Sequence, residues 1–422
     1  MEEQEVDVLI IGAGIAGLTA AKLAKMAGKK TLVIEASDGI GGRVRTDDKD
    51  GFLLDRGFQV LLTAYPEAKK LLDYKKLDLK AFRPGAIVLS RHSKHQIGDP
   101  IRQPMLLFST LFSPVGTLAD KLLLLKLKIA LAFTTVEKIF DRPEMDTMAY
   151  LQRYGFSKKF IDNFFRPFFT GIFLENELST SSRMFEFTFK MFGQGLAAVP
   201  AGGMGMISAQ LAEGLEKDEL ILNERVTGID GNAVHTKSGN SYTARAIIIA
   251  TDAPHIPVSA FSKNAIERKS ALTLYFNTGK KTAATQLIAL NSNREQLVNN
   301  IAFMDHISPA YAPKDQSLIS VSVSTGEGLG VQELEQKVRQ ELLQWYPESS
   351  KWQLLQVYAI PYALPKNDTV SHTVSPNTAQ LSANSFICGD HLLNGSINAA
   401  MKSAEIAVSA MLASSIFNQQ KS

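Results

Sequence analysis

The stretch Val6–Ala36, VDVLIIGAGIAGLTAAKLAKMAGKKTLVIEA, decides the fold. Val6 to Ile11 is an unbroken apolar run, as required of a strand covered on both faces of a parallel sheet. Gly12, Gly14 and Gly17 follow at GxGxxG spacing and lead into an Ala/Leu/Lys-rich segment that predicts a helix ending at Gly28. Thr31 to Ile34 predicts a second strand, with Glu35 at its tip and Ala36 just beyond. In this order the parts make a βαβ unit that can cradle a dinucleotide. Gly12 permits the tight turn. Gly14 lets the backbone approach a pyrophosphate, and Ile15 and Ala16 open the helix whose unpaired N–H groups face that anion. Gly17 lets the helix pack close to the strand, and Glu35, about 20 residues on, can accept from a ribose hydroxyl. A glycine-rich helix start in an ordinary α/β fold is the plainer reading, but it leaves Glu35 unexplained.

The residues beyond Glu35 bear on which dinucleotide is held. IGGRVRT places Gly41, Gly42, Arg43 and Thr46 directly after the acid, and a short predicted hairpin then ends in Asp55-x-Gly57. Arg43 is a fixed cation suited to bidentate contact with phosphate oxygens. With these motifs the chain resembles the flavin amine oxidase superfamily, which includes phytoene desaturases, protoporphyrinogen oxidases and monoamine oxidases. The resemblance implies FAD rather than NAD. It also brings Gly57, Phe58 and Gln59 near the isoalloxazine, where Gln59 would hydrogen-bond flavin or substrate.

A second signature lies at the far end, in FICGDHLLNGSINAAMKSAEIAVSAML. Ser385 to Cys388 reads as a short buried strand, Gly389 and Asp390 as a turn, and Asn398 to Leu412 as a helix packed on one face. By the same resemblance, Asp390 lies against the diphosphate and ribityl chain. Ser396, Ile397 and Asn398 then start a helix under the flavin's pyrimidine end, where its N–H groups stabilise negative charge. A third piece, LILNERVTGIDGNAVHTKSG followed by YTARAIIIATDAP, reads as strands. Val226 stands where the family's backbone contacts adenine, or is plain strand core, and a strand over Ile247 to Thr251 leads to the diphosphate.

Cofactor fingerprints so far apart imply a discontinuous Rossmann-like FAD-binding domain in an α/β chain with an inserted α+β substrate domain, the glutathione-reductase-type FAD/NAD(P)-binding fold. Residues 1–75, 200–263 and 361–422 are assigned to the FAD-binding domain, and 76–199 and 264–360 to the substrate domain. At 422 residues the chain suits two interleaved domains. A net charge of +3 without dense basic runs makes no case for nucleic acid. The single cysteine, Cys388, allows no internal disulfide. A strand beginning at Val6 leaves no room for a signal peptide, so a cytoplasmic location is expected, with membrane association as the exception.

That exception arises from residues 104–140. PMLLFSTLFSPVGTLADKLLLLKLKIALAF is the most apolar stretch, yet Asp120, Lys121, Lys126 and Lys128 interrupt it, so it does not predict a membrane-spanning helix. Leu122 to Phe133 predicts an amphipathic helix whose alternatives are core packing, a tunnel wall and a membrane-docking surface. From Leu151 to Leu196 the chain is crowded with phenylalanine: Phe164, Phe165, Phe168, Phe169, Phe173, Phe185, Phe187, Phe189 and Phe192. Most are expected in the core, the rest around a flat conjugated ligand. Arg166 and Arg183 sit among them, with Glu186 as the expected partner of Arg183. Ala271 to Phe276, Ala284 to Ala289 and Leu318 to Ser324 predict strands, and Gly326 to Pro347 a helix. VPAGGMGMISAQLAEGL, 199–215, resembles the family's segment returning to the FAD domain. IPYALP, 360–365, resembles a stretch close to the flavin in protoporphyrinogen oxidases, which makes Tyr362 a cavity-wall candidate.

No other chemistry competes. His92 and His95 lack partners for a metal set, and no nucleophile elbow or Walker loop occurs. Monoamine oxidases carry an aromatic residue after the glycine matching Gly395, but this chain has Ser396. Asn398 replaces their acid, and Cys388 is misplaced for a covalent flavin link, so FAD is expected to be noncovalent. The expected function is an FAD-dependent oxidoreductase. It would remove hydride to flavin N5 from an apolar conjugated substrate of the carotenoid or tetrapyrrole-precursor type, with Gln59 and Tyr362 as catalytic candidates. A non-redox flavin-dependent isomerase and an amine oxidase are the alternatives.

Overall fold

The computed structural model describes residues 6–91, 93–98, 113–252, 267–324, 328–366 and 369–418. His92, residues 104–112 of the apolar stretch, the end of ATDAP at 253–254 and the 263/264 boundary lie outside them.

Val6–Ile11 forms the expected strand, with Val8, Leu9 and Ile10 wholly inaccessible to solvent. It runs parallel to Thr31–Ile34 on one side and Ser241–Ile249 on the other. Leu220–Ile221 extends the parallel order beyond the first neighbour, and Ser385–Ile387 beyond the second. Val226–Asp230 and Ala233–Thr236 add an antiparallel hairpin to Ser241–Ile249. Among the described residues this sheet has seven strands and is assembled from segments at the start, middle and end of the chain. The helices Ile15–Met26 and Ile397–Ala413 pack together on one of its faces. Burying each large aliphatic side chain in such a layer contributes about 1.5–3 kcal/mol.

The second sheet has seven strands among the described residues, in the order Gln353–Pro365, Arg268–Asn277, Leu318–Val323, Val298–Phe303, Ile288–Asn291, Gly85–Leu89 and Lys94–Gly98. All its pairings are antiparallel except Ile288–Asn291 with Gly85–Leu89. Gln353–Pro365 runs straight through the expected 360/361 boundary. Its backbone pairs with Arg268–Asn277 as far as Pro365, and this long strand carries IPYALP from the second sheet to Arg43, which donates to Ala363 O. Other limits shift as well. The expected strand at 284–289 is Ile288–Asn291, the one at 247–251 stops at Ile249, and the helix at 326–347 shortens to Val331–Leu342.

Between the sheets' segments, residues 118–194 are mainly helical. Leu118–Phe133 starts one turn before Leu122. Thr117 Oγ1 accepts from Asp120 N at 3.1 Å while Asp120 Oδ2 accepts from Thr117 N at 2.8 Å, which satisfies two orphan donors at the N-terminus. At the other end Lys190 Nζ donates to Leu131 O at 2.8 Å. Glu186 turns inward to Arg142 and to Tyr150 Oη at 2.6 Å rather than to Arg183. Arg183 instead reaches the carbonyl of Arg142 at 2.7 Å and Glu144 at 3.6 Å, because it leaves the helix toward the 142–144 loop. Arg166 finds Asp162 at 3.1 Å.

Candidate active site

The glycine motif folds as its spacing requires. Gly12 has φ +101°, which an L side chain rarely adopts, and a Cβ added at Gly17 would lie 1.9 Å from Gly12 O. The strand and helix can approach this closely only with glycine at 17. Glu35 then braces the turn. Its Oε2 accepts from Ala13 N at 2.7 Å and its Oε1 from Ser37 N at 2.8 Å and Ser37 Oγ at 2.7 Å, which leaves one acceptor position, on Oε2, for a further donor.

Arg43 ties the two ends of the chain together. Its guanidinium donates to Asp390 Oδ1 at 2.6 Å and to Ala363 O at 2.7 Å, and it lies 5.2 Å from the centre of the Tyr362 ring. Burial alone would lower the Arg43 pKa, but the Asp390 carboxylate outweighs it and holds the arginine above its ordinary range. Gln59 sits beneath this pair, its Nε2 donating to Arg43 O at 2.8 Å and Arg56 O at 3.3 Å. Its amide nitrogen thus holds backbone in place, leaving the amide oxygen as its remaining polar atom. At the C-terminal motif Ser396 Oγ accepts from Ala399 N at 3.0 Å and caps the helix Ile397–Ala413.

These residues front one cavity of about 1340 Å³. Of the expected cofactor residues, Gly12, Gly14, Ile15, Ala16, Glu35, Ala36, Gly42, Arg43, Gly57, Phe58, Gln59, Val226, Thr251, Gly389, Asp390, Ser396 and Ile397 line it, as does Tyr362. Gly17 and Asn398 do not. Gly17 is packed under the turn, and Asn398 Oδ1 accepts from Glu67 N at 3.0 Å, which fixes the start of helix Pro66–Leu71 instead of facing a ligand. Asp55 is also off the wall. It is buried, accepting from Thr46 Oγ1 at 2.5 Å, Tyr311 Oη at 2.7 Å and Met204 N at 2.9 Å, and burial pushes its carboxyl up to about 6 against those bonds.

The wall fits a dinucleotide. A Cβ at Gly14 would meet nothing within 4 Å, so this backbone borders open space beside a helix N-terminus. Thr251 Oγ1 and Tyr362 Oη are buried with no hydrogen-bond partner, and burial pushes the Tyr362 phenol up to about 12. Cys388 lies off the cavity, wholly buried, its thiol raised to about 12.

The cavity continues into the helical segment, where some aromatic residues reach its wall and others stay behind it. Phe165, Phe169, Phe185 and Phe187 are core. Phe160, Phe164 and Phe168, four residues apart, line the cavity with Phe173, Phe189 and Phe192. A π turn over Ile161–Phe165 sets this phase. Sequence reasoning passed over Lys269 and Thr180, which also line the cavity. A lysine at the head of an alternating strand reads as solvated, and nothing in RKSALTLYF marks it otherwise.

Among the described residues no group of His, Cys, Asp and Glu could hold a metal, and no helix is long and apolar enough to cross a membrane. The chain is 36% identical over 78 residues to coproporphyrinogen III oxidase of Propionibacterium freudenreichii subsp. freudenreichii, a stretch covering 18% of this chain and 15% of that protein. It is 37% identical over 70 residues to the chloroplastic/chromoplastic 15-cis-phytoene desaturase of Narcissus pseudonarcissus, covering 16% and 12%. The matched stretches are thus a small part of these relatives. The fold as a whole matches wild-type putrescine oxidase bound to putrescine, with a TM-score of 0.71 at 16% identity over 97% of this chain and 99% of that one. Residues 15–412 match the family model for flavin containing amine oxidoreductase, and the chain belongs to that family.

Proposed function

We propose that this protein binds FAD noncovalently and oxidises an apolar, conjugated substrate of the carotenoid or tetrapyrrole-precursor type by hydride removal. The observation that carries the reading is the single cavity running from the glycine turn to a wall of phenylalanines. Its volume of about 1340 Å³ exceeds the roughly 300–1,000 Å³ of a pocket for one drug-sized ligand, leaving room for a dinucleotide and a second molecule. Bound FAD would supply the hydride-accepting centre.

The chain's own residues bind and orient. The N–H groups at Gly14 and the following helix face the diphosphate, Glu35 accepts from a ribose hydroxyl, and Arg43 holds Asp390 beside the linker. The capped N-terminus of Ile397–Ala413 presents donors to developing negative charge. The aromatic faces of Phe164, Phe168, Phe189 and Phe192 exclude water and stack on a planar substrate. Gln59 and Tyr362 orient rather than transfer protons. Burial of Cys388 away from the cavity supports a noncovalent cofactor. Ser396 in place of an aromatic wall counts against amine oxidation.

The absorbance spectrum of the purified protein, followed by heat release of its cofactor, tests the reading. Flavin bands and released FAD, then anaerobic bleaching by a porphyrinogen or polyene, are expected. Turnover only after prior reduction selects the isomerase alternative, bleaching by amines the oxidase alternative, and a protein that takes up no FAD refutes the flavoenzyme reading.

The same reading extends to an anionic bilayer as the docking partner. Leu118, Leu122, Leu125, Ile129 and Phe133 are 57%, 60%, 38%, 48% and 87% exposed and recur every three or four residues, so they form one stripe on the helix Leu118–Phe133. Lys121, Lys126 and Lys128 flank it, while Asp120 is turned inward. Leu124, Leu125, Lys121 and Lys128 also line the cavity, so the stripe adjoins a route by which a lipophilic substrate can enter.

A further inference from the structure

We infer that Lys269 anchors a carboxylate at one end of the substrate, so that the cavity takes an amphiphile with an apolar conjugated body and an anionic terminus. The inference rests on the proposed reading of this cavity as a substrate site and narrows its ligand class.

Lys269 stands near the start of strand Arg268–Asn277, opposite Leu364 of the long strand, and lines the cavity with Leu364, Pro365, Thr180 and Ser181. Its ammonium donates to Thr180 Oγ1 at 3.0 Å. Thr180 is itself fixed, because its hydroxyl donates to Glu175 Oε1 at 3.1 Å and its N–H to the same oxygen at 3.2 Å. The Glu175 carboxylate is further occupied by Glu177 N at 2.8 Å. Lys269 is therefore held in place by a neutral oxygen, and the Glu175 carboxylate bonds to that hydroxyl rather than to the ammonium.

Two cavity arginines are held differently. Arg43 is neutralised by Asp390 at 2.6 Å and Arg56 by Asp47 at 3.0 Å. Among the described residues, no carboxylate lies within ion-pair distance of Lys269. Partial burial lowers the pKa of its amine, Glu175 opposing and Lys366 adding to the shift. An ammonium drawn out of water without a carboxylate is costly, and two of its three N–H groups remain for a ligand. A carboxylate arriving there gains charge-assisted hydrogen bonds, whereas a neutral end group leaves a cation uncompensated. A carboxylated tetrapyrrole precursor or carboxylated polyene meets this requirement, and a pure hydrocarbon does not.

The test measures binding of all-trans-retinoic acid and all-trans-retinol, matched polyenes differing in the end group, to the protein as purified by equilibrium dialysis. The wild type is expected to bind the acid about tenfold or more tightly than the alcohol. Lys269→Met should abolish that preference by weakening the acid alone, and Lys269→Arg should keep most of it. Thr180→Val, which frees the ammonium from its support, should reduce it. Equal affinity of the wild type for both polyenes, no binding of the acid, or an equal loss of both in Lys269→Met overturns the proposal. Flavin content is measured in parallel. A protein without flavin that still prefers the acid refutes the flavoenzyme reading and keeps the anchor, while a flavin-loaded protein without the preference does the reverse.

Discussion

Replacing Asp55 with asparagine should remove a pH dependence of stability that the fold builds into its domain junction. The carboxylate joins the hairpin Thr46–Lys49/Phe52–Asp55 to Met204 and to Tyr311, and its own carbonyl accepts from Tyr275 Oη at 2.9 Å. Burial dominates, raising the carboxyl from 3.8 to about 6 although three donors favour the anion. Between pH 4 and 6 the folded state therefore binds the proton more tightly than the unfolded chain. Stability from this group is greatest below the unfolded pKa and falls as pH rises through about 6. Two pKa units correspond to about 3 kcal/mol. The asparagine side chain would keep the shape and an acceptor for Met204 N but cannot ionise. The assay is urea unfolding of both proteins from pH 4 to 7, reading the difference between them so that other titrating groups cancel. The wild type should lose about 2.5 kcal/mol relative to Asp55→Asn across this range, with the change centred between pH 4 and 6. A constant difference, or one of opposite sign, refutes the argument.

Gly17→Ala places a methyl group 1.9 Å from Gly12 O, and because the atom it meets belongs to the backbone the turn must open. We expect a destabilisation of about 1–3 kcal/mol and purified protein nearly free of flavin, measured by melting and absorbance ratio. Arg43→Met keeps most of the apolar stem but leaves the buried Asp390 without its cation, a loss of about 3–5 kcal/mol. Flavin affinity, read by fluorescence titration of the apoprotein, should fall more than tenfold, with only partial recovery in Arg43→Lys. Wild-type protein should co-sediment with anionic vesicles in a salt-sensitive manner, and the triple variant Leu122→Glu, Ile129→Glu, Phe133→Glu should not. Equal sedimentation of the two, or dimerisation through the stripe without vesicle binding, would contradict the docking surface.

The strand–helix–strand unit around the glycines was legible because its constraints are local. A strand, three glycines, a helix and an acid act within 31 residues, and each residue type there answers to backbone geometry or a neighbouring atom. Long-range pairing lies beyond such reading. Nothing local to Arg43 names Asp390, 347 residues away, as its partner, and nothing local to Asn398 shows that its amide holds Glu67 rather than a ligand. The strand limits near 250 and 288 moved because register with neighbouring strands, not propensity, decides where a ladder stops.

The sequence by itself determined the flavin family and pointed to a first sheet assembled from distant segments, since motif residues carry their own geometry. Only the tertiary structure decided which phenylalanines form the wall, that Gln59 supports backbone, and that Lys269 faces the cavity without a carboxylate. Those properties depend on which side chains meet across elements distant in the chain, and composition and spacing do not encode that choice.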